Sequence, residues 1–225
     1  MFKELIQLKL TQVTFVVSMI FALYALYLYD VYSYQKERAT TQKISSSYAN
    51  HIRNNLNQAL SATYPLAALI RAQNGESTGF NELAKEMLPL YPGIASLQLQ
   101  PDGILKHIVP LEGNEGAIGH NLLLSPDRTK EAFIARDTGK LTLAGPFDLV
   151  QGGIGAAARL PIYLESSDGK QFWGFATALI RFPDILDTSK LPTLFNEGIA
   201  YQLSKTHPDT GEVQIIASSN IPLID

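Results

Sequence analysis

The chain has 225 residues, a net charge of −3 from 18 Lys and Arg against 21 Asp and Glu, and no cysteine. The lack of cysteine excludes disulfides, a thiol nucleophile and cysteine-ligated metals, and the mildly acidic balance argues against a nucleic-acid partner. A hydrophobic content of 46% is sufficient for a folded core.

The first predicted element is an uncharged run of 20 residues from Leu10 to Tyr29. A helix of that length spans roughly 30 Å, the thickness of a bilayer core. Tyrosines cluster at its end and beyond it, as is typical of a membrane interface. We therefore expect a cytoplasmic tail at 1–9 and a transmembrane helix at 10–30. A cleaved signal peptide is the alternative, although the run exceeds a signal core and lacks a small-residue cleavage site.

Residues 31–75 are predicted to form a long stalk helix that continues the membrane helix. Apolar side chains recur there at helical or heptad spacing. Pro65 is expected to kink this helix and Gly75 to end it. Such a stalk could dimerise and carry movement to the membrane, or it could pack on its own domain. The two interpretations are compatible.

The remaining chain predicts a domain of mixed helices and antiparallel strands. Trp173, Phe175, Thr177 and Leu179 are expected to share one face of a central strand that is apolar on both faces. The elements together favour an α+β fold with a five-stranded sheet, as in PAS-like sensors. In chain order they are helix 80–88, a hairpin of strands 94–100 and 104–109, helix 125–137, strand 141–144, loop 145–155, strands 157–164 and 171–181, helix 183–190, and strands 199–204 and 213–218.

No catalytic motif stands out in this sequence. Zinc-protease, nucleophile-elbow and phosphate-loop patterns are absent, and the four histidines lack metal-ligand spacing. The glycine-rich run at Gln151 lacks the lysine of a phosphate loop and is interpreted as a turn. Asp127, Arg136 and Asp137 are candidates for ligand binding, but an Asp at a helix start is commonly a surface carboxylate favoured by the helix dipole. We expect no metal, no cofactor and no catalytic residue.

An ordered set of fragments carries a family resemblance over residues 60–190. The fragments are Ala117–Leu123, Asp127–Arg128, Ala135–Lys140, Ala144–Phe147, Gln151–Gly153 and Phe172–Phe175. In this order they resemble the CHASE domain, the extracytoplasmic sensory module of bacterial diguanylate cyclases and histidine kinases and of plant cytokinin receptors.

The resemblance implies a stalk helix that carries two PAS-like subdomains. The membrane-distal one would occupy 76–190 and hold a small ligand, and the membrane-proximal one would be represented by truncated strands at 191–225. The domain would lie in the periplasm, anchored in the inner membrane. Ligand binding would shift the stalk helices of a homodimer, and the signal would reach a diguanylate cyclase or histidine kinase domain outside this chain.

The resemblance also implies site residues. In the plant branch an Asp contacts the adenine ring of cytokinin, and its counterpart here is Asp127. A backbone group after the Pro-Phe pair corresponds to Val150, and Ala144 replaces a plant Thr, which favours a ligand other than cytokinin. Further candidates are Arg128, Phe147, Gln151 and Trp173, of which Phe147 and Trp173 also suit core packing.

Two other functions and two forms of the protein stay open at this point. A periplasmic protein-interaction or adhesion module would have a largely filled pocket, and a membrane-tethered hydrolase would cluster Ser, His and Asp in one cleft. No second apolar run of about 20 residues follows the first. We therefore expect a fragment of a longer receptor, or otherwise a short protein that regulates in trans.

Overall fold

The computed structural model describes residues 2–124, 130–149, 153–167, 169–188, 193–196, 199–206 and 213–219. The chain divides into two compact units, Met1–Ala49 and Asn50–Asp225. Helix α1 runs from Phe2 to Ser61.

The first unit is helical, and its side chains from residue 10 onward are almost all exposed. They include large apolar groups such as Phe15, Ile20 and Phe21. In the described part of the chain, one helical region, beginning at Leu10, is long and apolar enough to cross a membrane. No residue of its most apolar stretch is buried.

The second unit begins with two helices that pack on a sheet. Helix α2 spans Thr63–Ala72 and α3 spans Phe80–Met87. Pro65 lies in the first turn of α2, where its missing N–H is least costly. Gly75, with a φ of 97°, donates its N–H to the carbonyl oxygen of Ile70 at 2.8 Å. This left-handed closure ends the helical run.

The sheet has five antiparallel strands in the order β2-β1-β5-β4-β3. The long strands β4 and β5 form a hairpin, and β5 occupies the centre. The predicted α+β fold with a five-stranded sheet is confirmed. The strands are β1 Ile94–Pro101, β2 His107–Val109, β3 Thr142–Asp148, β4 Ile154–Ser166 and β5 Gly169–Arg181. The other elements are helices α4 Lys130–Thr138, α5 Phe182–Thr188 and α6 Thr193–Asn196, and a separate hairpin of β6 Gln202–Thr206 and β7 Val213–Ser218.

One face of the sheet, here the α2 face, holds the main core. Its strand residues are apolar and buried, among them Leu97, Leu99 and Ala176. Leu66 and Ile70 of α2 and Phe80 of α3 pack against them. Burying each large apolar side chain stabilises the fold by about 1.5–3 kcal/mol, so this face anchors both helices to the sheet.

Strand β3 is longer than the sequence predicted. It was expected to end at Ala144, before a glycine-rich loop, but it pairs with β4 as far as Asp148. A bulge between Ala144 and Phe147 accommodates the Gly145-Pro146 pair. The bulge places Ala144 opposite Ala157 and Phe147 opposite Gly155. Both side chains therefore project from the same face of the sheet, despite their odd spacing.

Strand β5 does not keep Trp173 and Phe175 on one face, as the simple alternation predicted. The β4–β5 register shifts between Ile162 and Tyr163, opposite Gly174. Gly174 has a φ of 149°, and a Cβ there would lie 2.1 Å from a β1 carbonyl oxygen. Trp173 consequently packs with the α2-face core, and its Nε1 donates to the carbonyl oxygen of Gly75 at 3.0 Å.

Candidate functional site

The face of the sheet opposite α2, here the α4 face, carries a row of polar side chains. Gln98 of β1 pairs with Thr177 of β5, Thr177 with Arg159 of β4, and Arg159 with Thr142 of β3. Directly paired residues project from the same face, so the four side chains form one row across four strands. Gln98, Thr177 and Arg159 are 6%, 1% and 7% exposed. We call these four residues the polar row.

A chain of hydrogen bonds runs along β1 beside this row. The Thr177 hydroxyl donates to Gln100 Oε1 at 2.6 Å. Gln100 Nε2 then donates to Gln98 Oε1 at 2.9 Å, and Gln98 Nε2 donates to Ser96 Oγ at 3.0 Å. Ser96 and Gln100 are also buried. The chain fixes the orientation of both amides and holds their polar ends on the α4 face.

Arg159 is the charged member of the row. Its Nε is buried and has no hydrogen-bond partner among the described residues. Burial lowers the pKa of Arg159 to about 10, and the negative charge of Glu131 acts in the opposite direction. The guanidinium therefore stays cationic at neutral pH, although it lies almost out of contact with water.

Two apolar clusters flank the polar row on the α4 face. At one end, Ala132 and Ala135 of α4 pack with Leu122 and Phe175. At the other end, Leu149 packs with Ala157, Leu179 and Phe147. The polar row thus lies between two apolar clusters, and Arg181, which pairs with Gly155 opposite Phe147, adds a cation at the second end. Sites that orient a small ligand likewise combine an apolar lining with a few polar groups.

Side-chain contacts fix α4 to the sheet beside the row. The hydroxyl of Thr142 donates to the carbonyl oxygen of Glu131 at 3.1 Å. At the other end of α4, the hydroxyl of Tyr163 donates to the carbonyl oxygen of Arg136. These two bonds position the helix that immediately follows Asp127 and Arg128 in the sequence.

The structure places three of the predicted site residues. Ala144 is buried on the α4 face, next to the polar row, and Phe147 belongs to the adjacent apolar cluster. Trp173 lies on the opposite face in the α2-side core. The other four, Asp127, Arg128, Val150 and Gln151, lie outside the described residues. Of the candidates on α4, Arg136 pairs with Asp137 at 2.7 Å near the surface.

Sequence reasoning missed Gln98, Gln100, Thr177 and Arg159. Alternating Ser, Gln and Gln in β1 is the pattern of a strand with one solvated face, and that interpretation passes over burial on both faces. The available signal was a single Arg within the run Ala156–Leu160, since an unpaired cation is rare in a buried strand.

A concavity lies at the outer edge of β4. It has a volume of about 640 Å³ and is open to solvent. Its lining includes Arg71 of α2, Asp137 of α4 and Lys170 of β5. Lys170 Nζ lies 3.7 Å from Glu165 Oε1, and both side chains are exposed. Solvent can therefore satisfy these charges without a ligand. Among the described residues, no group of three His, Asp or Glu side chains could hold a metal ion.

A model of the CHASE domain family matches residues 53–215. The chain belongs to the CHASE-domain family. The match covers α2, the whole five-stranded sheet and the start of β7, so the polar row lies within the CHASE domain.

Solved structures show a related fold. An extracellular ligand binding receptor from Desulfohalobium retbaense DSM5692 aligns with a TM-score of 0.59 at 12% identity, over 77% of this chain and 30% of that chain. The ligand-binding domain of the Pseudomonas aeruginosa PAO1 amino acid chemoreceptor PctC, in complex with GABA, aligns with a TM-score of 0.51 at 18% identity, over 75% of each chain. No curated protein matches the chain. The family match identifies this domain as a CHASE sensory domain, and the aligned structures show that its fold is PAS-like.

Proposed function

We propose that this protein is the membrane-anchored periplasmic input of a receptor, and that it binds a small ligand on the α4 face of its sheet. The observation that supports this most directly is the polar row, in which Gln98, Thr177 and Arg159 are buried and Thr142 is partly exposed. The output, a diguanylate cyclase or a histidine kinase, would belong to another part of the receptor. We assign no catalytic role to any residue of this chain.

The energetics of the row support a ligand-binding role. A buried hydrogen bond contributes only about 0.5–1.5 kcal/mol net, and apolar side chains of similar size would stabilise a sheet at least as well. A buried guanidinium whose Nε has no hydrogen-bond partner among the described residues is a net cost. A row of buried polar groups between two apolar clusters is better explained by recognition than by stability.

Asp127 and Val150 extend this proposal to the segments that border the row in the sequence. Asp127 precedes α4 by three residues, and Val150 directly follows Leu149 of the apolar cluster. The family resemblance assigns ligand contacts to both positions. We propose that Asp127 accepts a hydrogen bond from an N–H group of the ligand, as a carboxylate can, and that the Val150 backbone supplies a second contact.

Transmission would use the helices on the other face of the same sheet. α2 packs directly on the α2 face, and the exposed apolar surface of residues 10–34 suits a lipid environment. A ligand that binds one state of the sheet better than another would bias the packing of α2. We propose that residues 31–75 pair in a homodimer and that this bias shifts the pair.

The direct test is a thermal-shift screen of the full chain in detergent against a library of neutral and charged metabolites. A ligand at 100 times its Kd stabilises the folded state by about 2.7 kcal/mol, which corresponds to a rise in Tm of about 5–11 °C for a domain of this size. The proposal expects at least one such compound. Its effect should disappear in Asp127→Ala and in Thr177→Val.

The matched control is Lys170→Gln, which changes an exposed residue of the β4-edge groove. This variant should respond to the compound as the wild type does. If no compound in the library raises the Tm, or if the response survives both Asp127→Ala and Thr177→Val, the proposed ligand site is wrong.

Protein interaction is a second candidate, favoured by one observation. The part of β4 after Arg159 pairs with β5 on one side but has no paired strand on its outer side among the described residues. An open strand edge beside a groove can accept an extended segment of another protein. In that case, Lys170→Gln rather than Thr177→Val would weaken the interaction.

A further inference from the structure

The charge and the unused hydrogen-bond donors of the polar row restrict the chemistry of the ligand. This step rests on the proposed function and concerns the same site. In the described part of the chain, no carboxylate lies within ion-pair distance of Arg159, although the charge of Glu131 acts on it from farther away. A second cation, Arg181 of β5, pairs with Gly155 opposite Phe147 and so lies on the same face; its Nε is also buried without a hydrogen-bond partner among the described residues. Arg159 is the more deeply buried of the two, and it has no direct carboxylate partner among these residues.

The hydrogen-bond chain leaves mostly donors for a ligand. Gln98 and Gln100 each use the oxygen and one N–H of the amide within the chain, so each keeps one further N–H. Arg159 adds its Nε–H, which is buried without a partner in the described structure. A ligand that fits this inventory presents hydrogen-bond acceptors, and the cation among the donors favours a negative charge.

We propose that the ligand carries a carboxylate and that Arg159 binds it. The Nε–H and a neighbouring Nη–H of a guanidinium form a planar fork that matches the two oxygens of a carboxylate. A carboxylate would place its negative charge directly against the Arg159 guanidinium, which has no direct carboxylate partner among the described residues.

The amides of Gln98 and Gln100 would then bind a neutral acceptor next to the carboxylate. They lie on β1, two strands away from Arg159 on β4, with Thr177 of β5 between them. Neighbouring strands are about 4.8 Å apart, so this second contact lies roughly 10 Å from the strand that bears the cation. This spacing corresponds to a small organic acid with a polar group at its far end, rather than to a bare inorganic anion.

The first experiment needs no ligand. Arg159→Met removes a buried cation that has no direct partner in the described part of the chain and keeps a long apolar side chain, so the ligand-free chain should become more stable, with a Tm about 2–8 °C higher. If the Tm falls instead, the chain itself supplies the counter-charge. Arg159 would then be a structural residue, and the inference would be overturned even though a ligand could still bind elsewhere.

The second experiment compares acids with their amides. Binding of glutamate, succinate and benzoate, and of the corresponding carboxamides, is measured on the full chain by isothermal titration. We expect at least one acid to bind and its carboxamide to bind at least about 30-fold more weakly, which is the loss typical of removing one partner of a buried charge pair. Arg159→Gln should produce the same loss, whereas Arg71→Gln, which removes an exposed guanidinium, should change the affinity less than about twofold.

The outcomes separate this inference from the proposed function. A neutral compound that stabilises the wild type but not Thr177→Val, and that binds Arg159→Gln equally well, would confirm a ligand site on the α4 face and overturn the carboxylate. A stabilising carboxylate that tolerates Arg159→Gln would overturn the role of Arg159. If an acid stabilises the wild type and Arg159→Lys but not Arg159→Gln, and its carboxamide stabilises none of the three, the result would support both the ligand site on the α4 face and the carboxylate.

Discussion

Removing the Thr177 hydroxyl tests whether the polar row is a closed network. Thr177 is almost fully buried, and its hydroxyl donates to Gln100 Oε1 at 2.6 Å. Thr177→Val keeps the branched shape and leaves a buried amide oxygen without that donor. The cost of such an unsatisfied group is about 1–3 kcal/mol. With about 2–4 °C of Tm per kcal/mol for a domain of this size, we expect the Tm to fall by about 2–12 °C.

The assay is thermal melting of the full chain in detergent, followed by near-UV circular dichroism. Thr177→Ser is the matched control, because it keeps the hydroxyl and loses only a methyl group, at a cost of about 1 kcal/mol. The double variant Gln100→Leu with Thr177→Val removes both partners. It should lose less than the sum of the single variants, with a coupling energy of about 1 kcal/mol or more.

Two results would refute this reasoning. If Thr177→Val melts within about 1 °C of the wild type, water satisfies the row and the face is not closed. If the two single variants add without coupling, the hydroxyl and the amide do not interact in solution.

Three further predictions concern other parts of the chain. Gly174→Ala forces a Cβ to within 2.1 Å of a β1 carbonyl oxygen, so it should lower the free energy of unfolding by about 2–4 kcal/mol in denaturant titrations. The control Gly169→Ala has open space around its Cβ and should cost about 1 kcal/mol, and equal losses in the two variants would contradict the packing around Gly174. Burial, and to a smaller extent the charge of Lys106, lowers the pKa of His107 below 6.5 in the folded chain. Because the unfolded chain then binds the proton more readily, the Tm should fall as the pH drops through 6.5, and it should fall less in His107→Gln. Identical Tm–pH profiles of the two proteins would exclude His107 as the cause. Ile20→Arg places a charge in the exposed apolar helix at a cost of about 2.5–3.5 kcal/mol in a bilayer, and it should reduce the share of protein that resists carbonate extraction of membranes; an unchanged share would count against insertion.

Much of the architecture could be predicted because local patterns agreed with the final packing. The turn residues Asp102 and Gly103 have positive φ values of 55° and 80°, and they connect β1 to the return segment where the sequence indicated a hairpin. The apolar content of β5 correctly indicated a central strand. In both cases the local sequence pattern, a turn signal at Asp102-Gly103 and an apolar strand at β5, agrees with the tertiary contacts.

The misses occurred where the simple alternation of a strand breaks. Gly174 and the Gly145-Pro146 pair mark two bulges, and a bulge moves every following side chain to the other face. Trp173 is the extra residue of the β5 bulge and packs on the α2 side, and the β3 bulge lets pairing with β4 resume at Phe147. Sequence alone indicates that a glycine permits a bulge, but the register of the partner strand decides whether one forms.

The site was the least predictable part of the molecule. Gln98 and Gln100 have the pattern of a solvated strand face, and only the packing of α4 and of Leu122 and Leu149 shows that this face is covered. The environment of Arg159 is set by Thr142 and Thr177, which are distant from it in sequence but pair with it in the sheet. The family resemblance pointed to the segments around Asp127 and Val150, and the structure adds the polar row, which lies between the two apolar clusters.

The most direct test of the ligand site is the nitrogen–proton NMR spectrum of the full chain with and without a stabilising compound. The side-chain amides of Gln98 and Gln100 report on the α4 face, and the single tryptophan, Trp173, reports on the α2 face through its indole N–H. A ligand on the polar row should shift both amide signals strongly and the indole signal weakly. A strong indole shift with unchanged glutamine amides would contradict the proposed site.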